Sequence, residues 1–174
     1  AICSQWLPTV TLGRMGKAVA TYCHHNEGIC MINVVIIGSD IDAEQQLLAQ
    51  HKDMTVSSIE PSTIETTVLQ AALFQPDIFI LKKDEEHINV DMLCHFLDKS
   101  FPDAQTLFLT SQAASFEMLQ NTGFKARGYI TEDQRDKLAK AVRVVHDGEA
   151  WLPRGLVAEM MNRFSAVVYR SDAA

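Results

Sequence analysis

Short apolar runs recur along the chain and alternate with segments in which apolar residues return every three or four positions. Runs of this length predict strands that are buried on both faces of a sheet. Five such strands are predicted, at residues 33–37, 54–59, 77–81, 106–110 and 126–130. Because a helical segment follows each strand, we predict an α/β fold in which right-handed crossovers produce a doubly wound, five-stranded parallel sheet.

Apolar residues at helical spacing mark the predicted helices. The first four carry Ala43, Leu47 and Leu48; Ile64, Val68, Leu69 and Ala72; Val90, Leu93 and Leu97; and Phe116 and Leu119. A fifth carries apolar residues at i, i+3, i+4 and i+7 from Leu138 to Val145, and Gly148 follows it as a C-cap glycine would. Two helix starts are predicted from capping-box spacing, Ser62 with Glu65 and Thr131 with Gln134.

A sixth helix is predicted to begin at Pro153, because the fixed φ of proline suits the first helical position. One face of this helix carries a stripe of apolar residues, namely Leu156, Val157, Met160, Phe164 and Val168. Two interpretations stay open for the stripe. It packs on the domain that precedes it, or part of it forms the surface of a dimer.

The composition is that of a globular protein, with 47% apolar and 21% charged residues in 174. No apolar run approaches the roughly 18 residues of a membrane span, and the N-terminus lacks the pattern of a signal peptide. We therefore expect a cytoplasmic protein without a membrane partner. The net charge of -7 argues against a nucleic-acid contact by this chain, since such affinity comes from Lys and Arg on phosphates.

The first 30 residues do not share the alternating pattern and precede a methionine that stands directly before the first strand. We expect residues 1–30 to be an N-terminal extension outside the fold and Met31 to be the native start. Residues 31–150 then form the α/β domain, and residues 151–174 form the sixth helix and the start of a linker.

The extension contains a cluster of thiols and imidazoles, Cys3, Cys23, His24, His25 and Cys30. A zinc site and a set of reduced, unengaged thiols are both open as interpretations. The spacing lacks the Cys-x-x-Cys pairs of a structural zinc fold, so we predict no metal here.

Four segments in this order carry a family resemblance: "PDIFIL" at the third strand, "LFLT" at the fourth, "ARGYITED" at the fifth, and "AVRVVHDGEAWLPRGLVAEMM" after it. Residues 31–170 resemble a receiver domain of the NarL/FixJ, or LuxR-type, bacterial response regulators. The resemblance implies a flavodoxin-like, CheY-like sheet with an extra C-terminal sixth helix. It also implies a carboxylate cluster at the carboxyl edge of that sheet, where open parallel sheets place their sites.

In the family, an aspartate that ends the third strand accepts a phosphoryl group, and two acids after the first strand hold Mg²⁺. The phosphoacceptor position in this chain is Lys82, and an ammonium cannot form an acyl phosphate. The acidic positions fall on Gly38 and Ser39, with Asp40 one place late. A hard cation is not held by what remains, so we expect no Mg²⁺ and no catalytic residue.

Two further positions concern the output of the domain. A lysine that follows the fifth strand in the family corresponds to Glu132, whereas Thr110 and Tyr129 match the pair whose rearrangement reports phosphorylation. Thr110 and Tyr129 have either that switching role or a packing role. Lys82 stands where the family has Asp, and Glu132 stands where it has Lys. The two residues could therefore form an ion pair of reversed sign between the third and fifth strands; the alternative is that both side chains are solvated.

Asp84 is an alternative phosphoacceptor, two residues late, or one of several solvated acids in a loop. A second candidate site is "WLPR", in which Trp151 and Arg154 resemble the cyclic di-GMP motif of regulators that have a sixth helix. Pro153 replaces the hydroxyl residue of that motif. The alternative is that Trp151 anchors the junction before the sixth helix and Arg154 is solvated.

The sequence thus predicts a noncatalytic, phosphorylation-independent receiver-like domain that regulates and dimerises a bacterial transcription regulator. The alternative is a receiver domain that senses cyclic di-GMP through "WLPR". An enzyme is not expected, because no Gly-rich phosphate loop, nucleophile elbow or acid pair is present. The chain stops at "YRSDAA" without a helix-turn-helix, so we expect DNA binding only through a LuxR-type domain absent from this chain.

Overall fold

A computed structural model describes the backbone of residues 31–171 and the side chains of residues 31–166. The predicted extension at residues 1–30, with its cysteines and histidines, lies outside the described residues. Within the described part, five strands and six α-helices follow one another along the chain. None of these helices is both long enough and apolar enough to cross a membrane.

The five strands form one parallel sheet in the order β2-β1-β3-β4-β5, the flavodoxin-like order, which confirms the predicted fold class. Each predicted strand boundary lies within one residue of the observed one. The strands are β1 Ile32–Ile37, β2 Met54–Ile59, β3 Ile78–Lys82, β4 Gln105–Thr110 and β5 Ala126–Thr131.

The helices are α1 Asp42–Ala49, α2 Ile64–Ala71, α3 Val90–Ser100, α4 Phe116–Asn121, α5 Leu138–His146 and α6 Arg154–Ser171. A 3-10 helix, Glu132–Lys137, joins β5 to α5. The sixth helix begins one residue later than predicted. Pro153 takes the cap position, and its carbonyl accepts the N–H of Val157 at 3.1 Å.

The predicted capping boxes are both wrong, whereas the C-cap glycine is confirmed. At α2 the cap is Thr63, whose hydroxyl accepts the N–H of Thr66, because the helix starts at Ile64 and not earlier. Thr131 is the N-cap residue of the 3-10 helix, as predicted, but its side chain makes no cap hydrogen bond. Gly148 follows α5 with a φ of 88°, a left-handed conformation that favours glycine.

Alternate residues of each strand enter two separate cores, so both faces of the sheet are covered. Val34 and Ile36 face a core that includes α5 and Leu48 of α1. Val35 and Ile37 face a second core that includes α2, α3, α4 and Leu156 of α6. Cys94, which the helical pattern predicts to be a core residue, is fully buried in the second core, and burial raises the pKa of its thiol to about 12.

Candidate functional site

The carboxyl ends of β1, β3, β4 and β5 meet at one edge of the sheet, and most of the predicted site residues lie there. Gly38, Ser39 and Asp40 follow β1, Lys82 is the last residue of β3, Thr110 is the last of β4, and Glu132 follows β5. The parallel order of the strands therefore brings these positions to one edge, as the resemblance implies.

Lys82 lies half-buried at this edge and reaches across to the loop that follows β1. Its ammonium donates a hydrogen bond to the backbone carbonyl of Ser39, with Nζ 2.8 Å from the oxygen. Glu132 instead lies 3.6 Å from the guanidinium of Arg135, three residues further along the same 3-10 helix. The hypothesis of an ion pair between Lys82 and Glu132 is therefore wrong, because each side chain has a nearer partner.

Glu85 is a central residue of this edge that the sequence did not identify. Its carboxylate accepts the backbone N–H of Ser39 at 2.6 Å and the Ser39 hydroxyl at 3.0 and 3.1 Å. The loop between β3 and α3 is thereby fastened to the loop between β1 and α1. Ser39 thus contacts a cation through its carbonyl and an anion through its N–H and hydroxyl.

Gly38 makes this close approach of the two loops possible. A Cβ at Gly38 would lie 2.7 Å from Cβ of Lys82 and 3.1 Å from Oε1 of Glu85. The first distance is shorter than real carbon contacts, so any side chain here would push β3 or its loop away. The glycine at a position where the family has an acid is therefore a steric requirement of this arrangement.

The remaining acids near this edge do not gather into a cation site. Asp84 is exposed, and its carboxylate accepts the N–H of Ser111 in the loop after β4 at 2.9 Å. Asp40 is exposed with a φ of 50°. Among the described residues no group of three or more His, Cys, Asp or Glu side chains is placed to hold a metal ion. An ammonium and a serine N–H do not fit Mg²⁺, which requires oxygen ligands.

A buried carboxylate, Glu44, lies on α1 near the same edge and was also missed by the sequence analysis. Glu44 is 2% exposed, and its Oε1 lies 2.8 Å from Nε of Arg135, at an angle outside that of a hydrogen bond. Arg135 thus offsets a charge on α1 and lies near Glu132. This contact joins α1 to the 3-10 helix, where the family resemblance had suggested a link between strands.

Thr110 and Tyr129, the predicted output residues, are both buried. The Thr110 hydroxyl accepts the N–H of Gln112 at 3.2 Å, and the Tyr129 ring stacks on Phe108 with centroids 5.3 Å apart. The Tyr129 hydroxyl has no hydrogen bond to a described residue. Burial raises the pKa of Tyr129 to about 12.

The "WLPR" segment begins with a backbone contact to the sheet. The Trp151 N–H donates to the carbonyl of Arg127 at 2.9 Å, and its carbonyl accepts the N–H of Tyr129 at 3.1 Å. Gly128 permits this, since a Cβ there would lie 2.8 Å from Cβ of Trp151. The Trp151 side chain is half-buried and packs on the core that includes α5, whereas Arg154 is exposed at the start of α6.

The helix α6 packs against α4 through few contacts. Leu156 is buried, the Arg163 guanidinium lies 4.1 Å above the Phe116 ring, and the Phe164 ring lies 5.8 Å from that of Phe124. A shallow groove of about 630 Å³ lies between the two helices and is lined by Phe116, Glu117, Gln120, Asn121 and Arg163. Other apolar residues of α6 stay exposed, among them Met161 at 66%.

Comparison with known proteins places the fold. No protein-family model and no curated protein sequence matches the chain. Among solved structures, it is similar to a LuxR-family two-component response regulator from Aurantimonas sp., with a TM-score of 0.65, 13% identity, and 78% of this chain and 99% of that one covered. The fold is that of a receiver domain.

Two further structures support the receiver fold. The receiver domain of NarL from Mycobacterium tuberculosis has a TM-score of 0.58 and 14% identity, with 68% of this chain and 98% of that one covered. The response regulator RcsB of Salmonella typhimurium, in a structure concerned with DNA interaction, has a TM-score of 0.59 and 15% identity. There the alignment covers 74% of this chain, which spans 66% of the RcsB chain.

Proposed function

We propose that this chain is a noncatalytic receiver-like domain that regulates a bacterial transcription regulator in the cytoplasm without being phosphorylated. The observation that carries the proposal is the contact between Lys82 and Ser39. Phosphoryl transfer to a receiver needs a carboxylate at the end of β3 and a divalent cation beside it. Here that place holds an ammonium that already donates to the Ser39 carbonyl at 2.8 Å.

The neighbouring charges support the same proposal, because protein groups already contact them. Glu85 binds Ser39, Asp84 binds the N–H of Ser111, and Arg135 contacts Glu44. A domain with these contacts needs neither a metal nor a phosphoryl group to neutralise its carboxyl edge. We therefore infer that it holds one conformation when no ligand is bound, and that its regulation does not require covalent modification.

The proposal includes a homodimer, with DNA bound only through a LuxR-type domain that is not in this chain. Support comes from α6, where Val157, Met161 and Phe164 are exposed at 39%, 66% and 48%. Large apolar side chains that repeat along one helix are costly to leave in water, and a second copy would cover them. The net charge of -7 is consistent with leaving the contact with DNA phosphates to another domain.

The solution mass of the chain tests this proposal, measured by light scattering in buffer and again with acetyl phosphate and Mg²⁺. We expect a dimer whose mass is the same in both conditions. A monomer in both would contradict the dimer. A mass that changes only with acetyl phosphate would contradict the independence from phosphorylation.

The alternative is a domain that binds cyclic di-GMP at Trp151 and Arg154. The exposed guanidinium of Arg154 is available to a guanine or a phosphate, but Trp151 is half-buried and its backbone is held by β5. Titration calorimetry with cyclic di-GMP tests this alternative, with Arg154→Ala as the variant that should lose binding. The absence of heat together with an unchanged solution mass would remove it.

A further inference from the structure

The Glu85 carboxylate is bound in the way that a protein binds a separate oxyanion. Two donors of one residue, the N–H and the hydroxyl of Ser39, point at it from 2.6 to 3.1 Å. Backbone N–H and hydroxyl donors aimed at one charged oxygen form strong, short hydrogen bonds. The loop after β1, which in the family carries acids for a cation, therefore presents donors that fit an anion.

A cation stands on the same loop. Lys82 donates to the Ser39 carbonyl at 2.8 Å but forms no ion pair with any residue in the described part of the chain. The adjacent Lys83 differs, since it is paired with Asp91. Among residues 31–166 no carboxylate forms an ion pair with the Lys82 ammonium, and a dianion beside Ser39 would gain more from this charge than the single charge of Glu85 does.

Glu85 can leave this position without disruption of a strand or a core. It lies in the loop between β3 and α3 and is half-buried, and among the described residues its side chain makes polar contacts with Ser39 alone. The site that it would leave is compact, because a Cβ added at Gly38 would lie only 3.1 Å from Oε1 of Glu85. Its departure would free the two donors of Ser39, the residue whose carbonyl accepts a hydrogen bond from the Lys82 ammonium.

We propose that Ser39 and Lys82 form an oxyanion site for a phosphate dianion, free or as a monoester, and that Glu85 is its internal competitor. The inference rests on the proposed function, since it requires that this edge binds phosphate without forming a covalent bond. Release of Glu85 would free the loop between β3 and α3 from the loop after β1. Phosphate would then control the contact between Glu85 and Ser39, which forms in the chain when no ligand is bound.

The test is a titration of the full chain with inorganic phosphate, followed through the backbone amide resonances of residues 38–40 and 82–86 at constant ionic strength. Because Glu85 is tethered, it competes at an effective concentration in the millimolar range, so the native chain binds weakly. In Glu85→Ala we expect phosphate to bind at least about tenfold more tightly than in the native chain. Glu85→Gln, which removes the charge and keeps the shape, serves as the second variant.

Glu86, the neighbour of Glu85, and Lys83, the neighbour of Lys82, serve as matched controls. Glu86→Gln removes an exposed acid of the same loop and should leave the affinity at the native value. In the Glu85→Ala background, Lys82→Met should weaken binding about tenfold, whereas Lys83→Met should not change it. A further arm with glycerol phosphate in place of inorganic phosphate distinguishes a monoester from the free ion.

Equal phosphate affinities of the native chain and both Glu85 variants would overturn the proposal. A loss of phosphate affinity that is the same in the Lys82 and Lys83 variants would also overturn it. Such failure would leave the proposed function standing, because that depends on the absence of covalent phosphorylation. Conversely, a covalent phosphoryl group on the native chain would contradict the proposed function without deciding whether free phosphate binds at Ser39.

Discussion

The two halves of the carboxyl edge are built by different forces. The β1–β3 side, which we define as Gly38, Ser39, Lys82 and Glu85, is joined by hydrogen bonds between charged side chains and the loop after β1. The β4–β5 side, Phe108, Thr110 and Tyr129, is joined by the stacking and burial of apolar groups. Polar contacts near water exchange readily, whereas a packed ring moves only if the core opens.

The difference shows which side of the edge can respond to a ligand. The β1–β3 side holds exchangeable charges, and its contacts can be replaced by those of an anion. The β4–β5 side holds Tyr129 in the core with a hydroxyl that lacks a hydrogen-bond partner among the described residues. We therefore expect removal of a side chain on the β4–β5 side to lower stability strongly, and removal of a side chain on the β1–β3 side to lower it little.

The largest effect is expected for Tyr129→Ala on the β4–β5 side. Removal of a buried ring that stacks on Phe108 leaves a cavity and should lower the free energy of unfolding by about 3–5 kcal/mol. Tyr129→Phe keeps the ring and removes only an unpartnered hydroxyl, so it should cost less than about 1 kcal/mol. Urea unfolding measures both values. Equal losses in the two variants would contradict the claim that Tyr129 stabilises the fold through the packing of its ring.

Gly38→Ala should have the next largest effect, because it forces β1 and β3 apart. Its Cβ would lie 2.7 Å from that of Lys82, and such overpacking costs about 1–3 kcal/mol. Gly155→Ala is the matched control, since no atom lies within 4 Å of the added Cβ and alanine favours the helix by about 0.5–1 kcal/mol. If both variants raised the thermal midpoint, the close contact of the two loops would be refuted.

Glu85→Ala on the β1–β3 side should cost about 1 kcal/mol, the net value of a hydrogen-bonded contact at a half-exposed position. The exposed neighbour Glu86→Ala should change the free energy of unfolding by less than about 0.5 kcal/mol. Chemical unfolding of the pair at neutral pH measures the difference. A loss of about 3 kcal/mol or more, which is the cost of a cavity in the core, would show that Glu85 is structural and not displaceable.

The smallest effect is expected at the opposite edge of the sheet, where Arg143 of α5 donates two hydrogen bonds to Asp53 at 2.6 and 2.9 Å. This contact lowers the pKa of the Asp53 carboxyl, and burial opposes it. Because the folded chain binds this proton less tightly than the unfolded one, the pair adds stability above the unfolded pKa and loses it as the pH falls through the folded pKa.

Asp53→Asn should therefore cost about 0.5–1 kcal/mol at pH 7, where the native carboxylate is ionised, and less in acid. Unfolding at about pH 7 and at about pH 3 tests the sign, since the second value lies below the unfolded pKa of Asp. A cost that is the same at both pH values would mean that the charge of Asp53 contributes nothing. The pair serves as a reference for a half-buried ion pair away from the carboxyl edge, against which the contacts of Glu85 are compared.

Much of the fold was predictable because the central strands β1 and β3 are nearly continuous apolar runs that are buried on both faces of the sheet. The prediction that Lys82 stands at the end of β3 needed only the length of the run from Ile78 to Leu81. The cap of α2 was placed one residue early, because Ser62, Thr63 and Thr66 are all able to cap and the sequence does not rank them.

The candidate site was predictable in its positions and not in its contacts. Ser39 and Glu85 are 46 residues apart, and no local pattern links a loop serine with one of three adjacent acids. The sequence also predicted correctly that Lys82 and Glu132 lie at one edge of the sheet. It did not predict their partners, which are the Ser39 carbonyl for Lys82 and Arg135 for Glu132. The dense run of charges after β3 was the one available signal for Glu85.

We infer that the carboxyl edge is not phosphorylated, and the intact mass of the full chain after incubation with acetyl phosphate and Mg²⁺ tests this inference. Lys82 at the end of β3 and the hydrogen bond of Asp84 to Ser111 predict a mass that does not change. A mass increase by one phosphoryl group, lost in Asp84→Asn and kept in Glu86→Gln, would contradict the account and identify Asp84 as a phosphoacceptor.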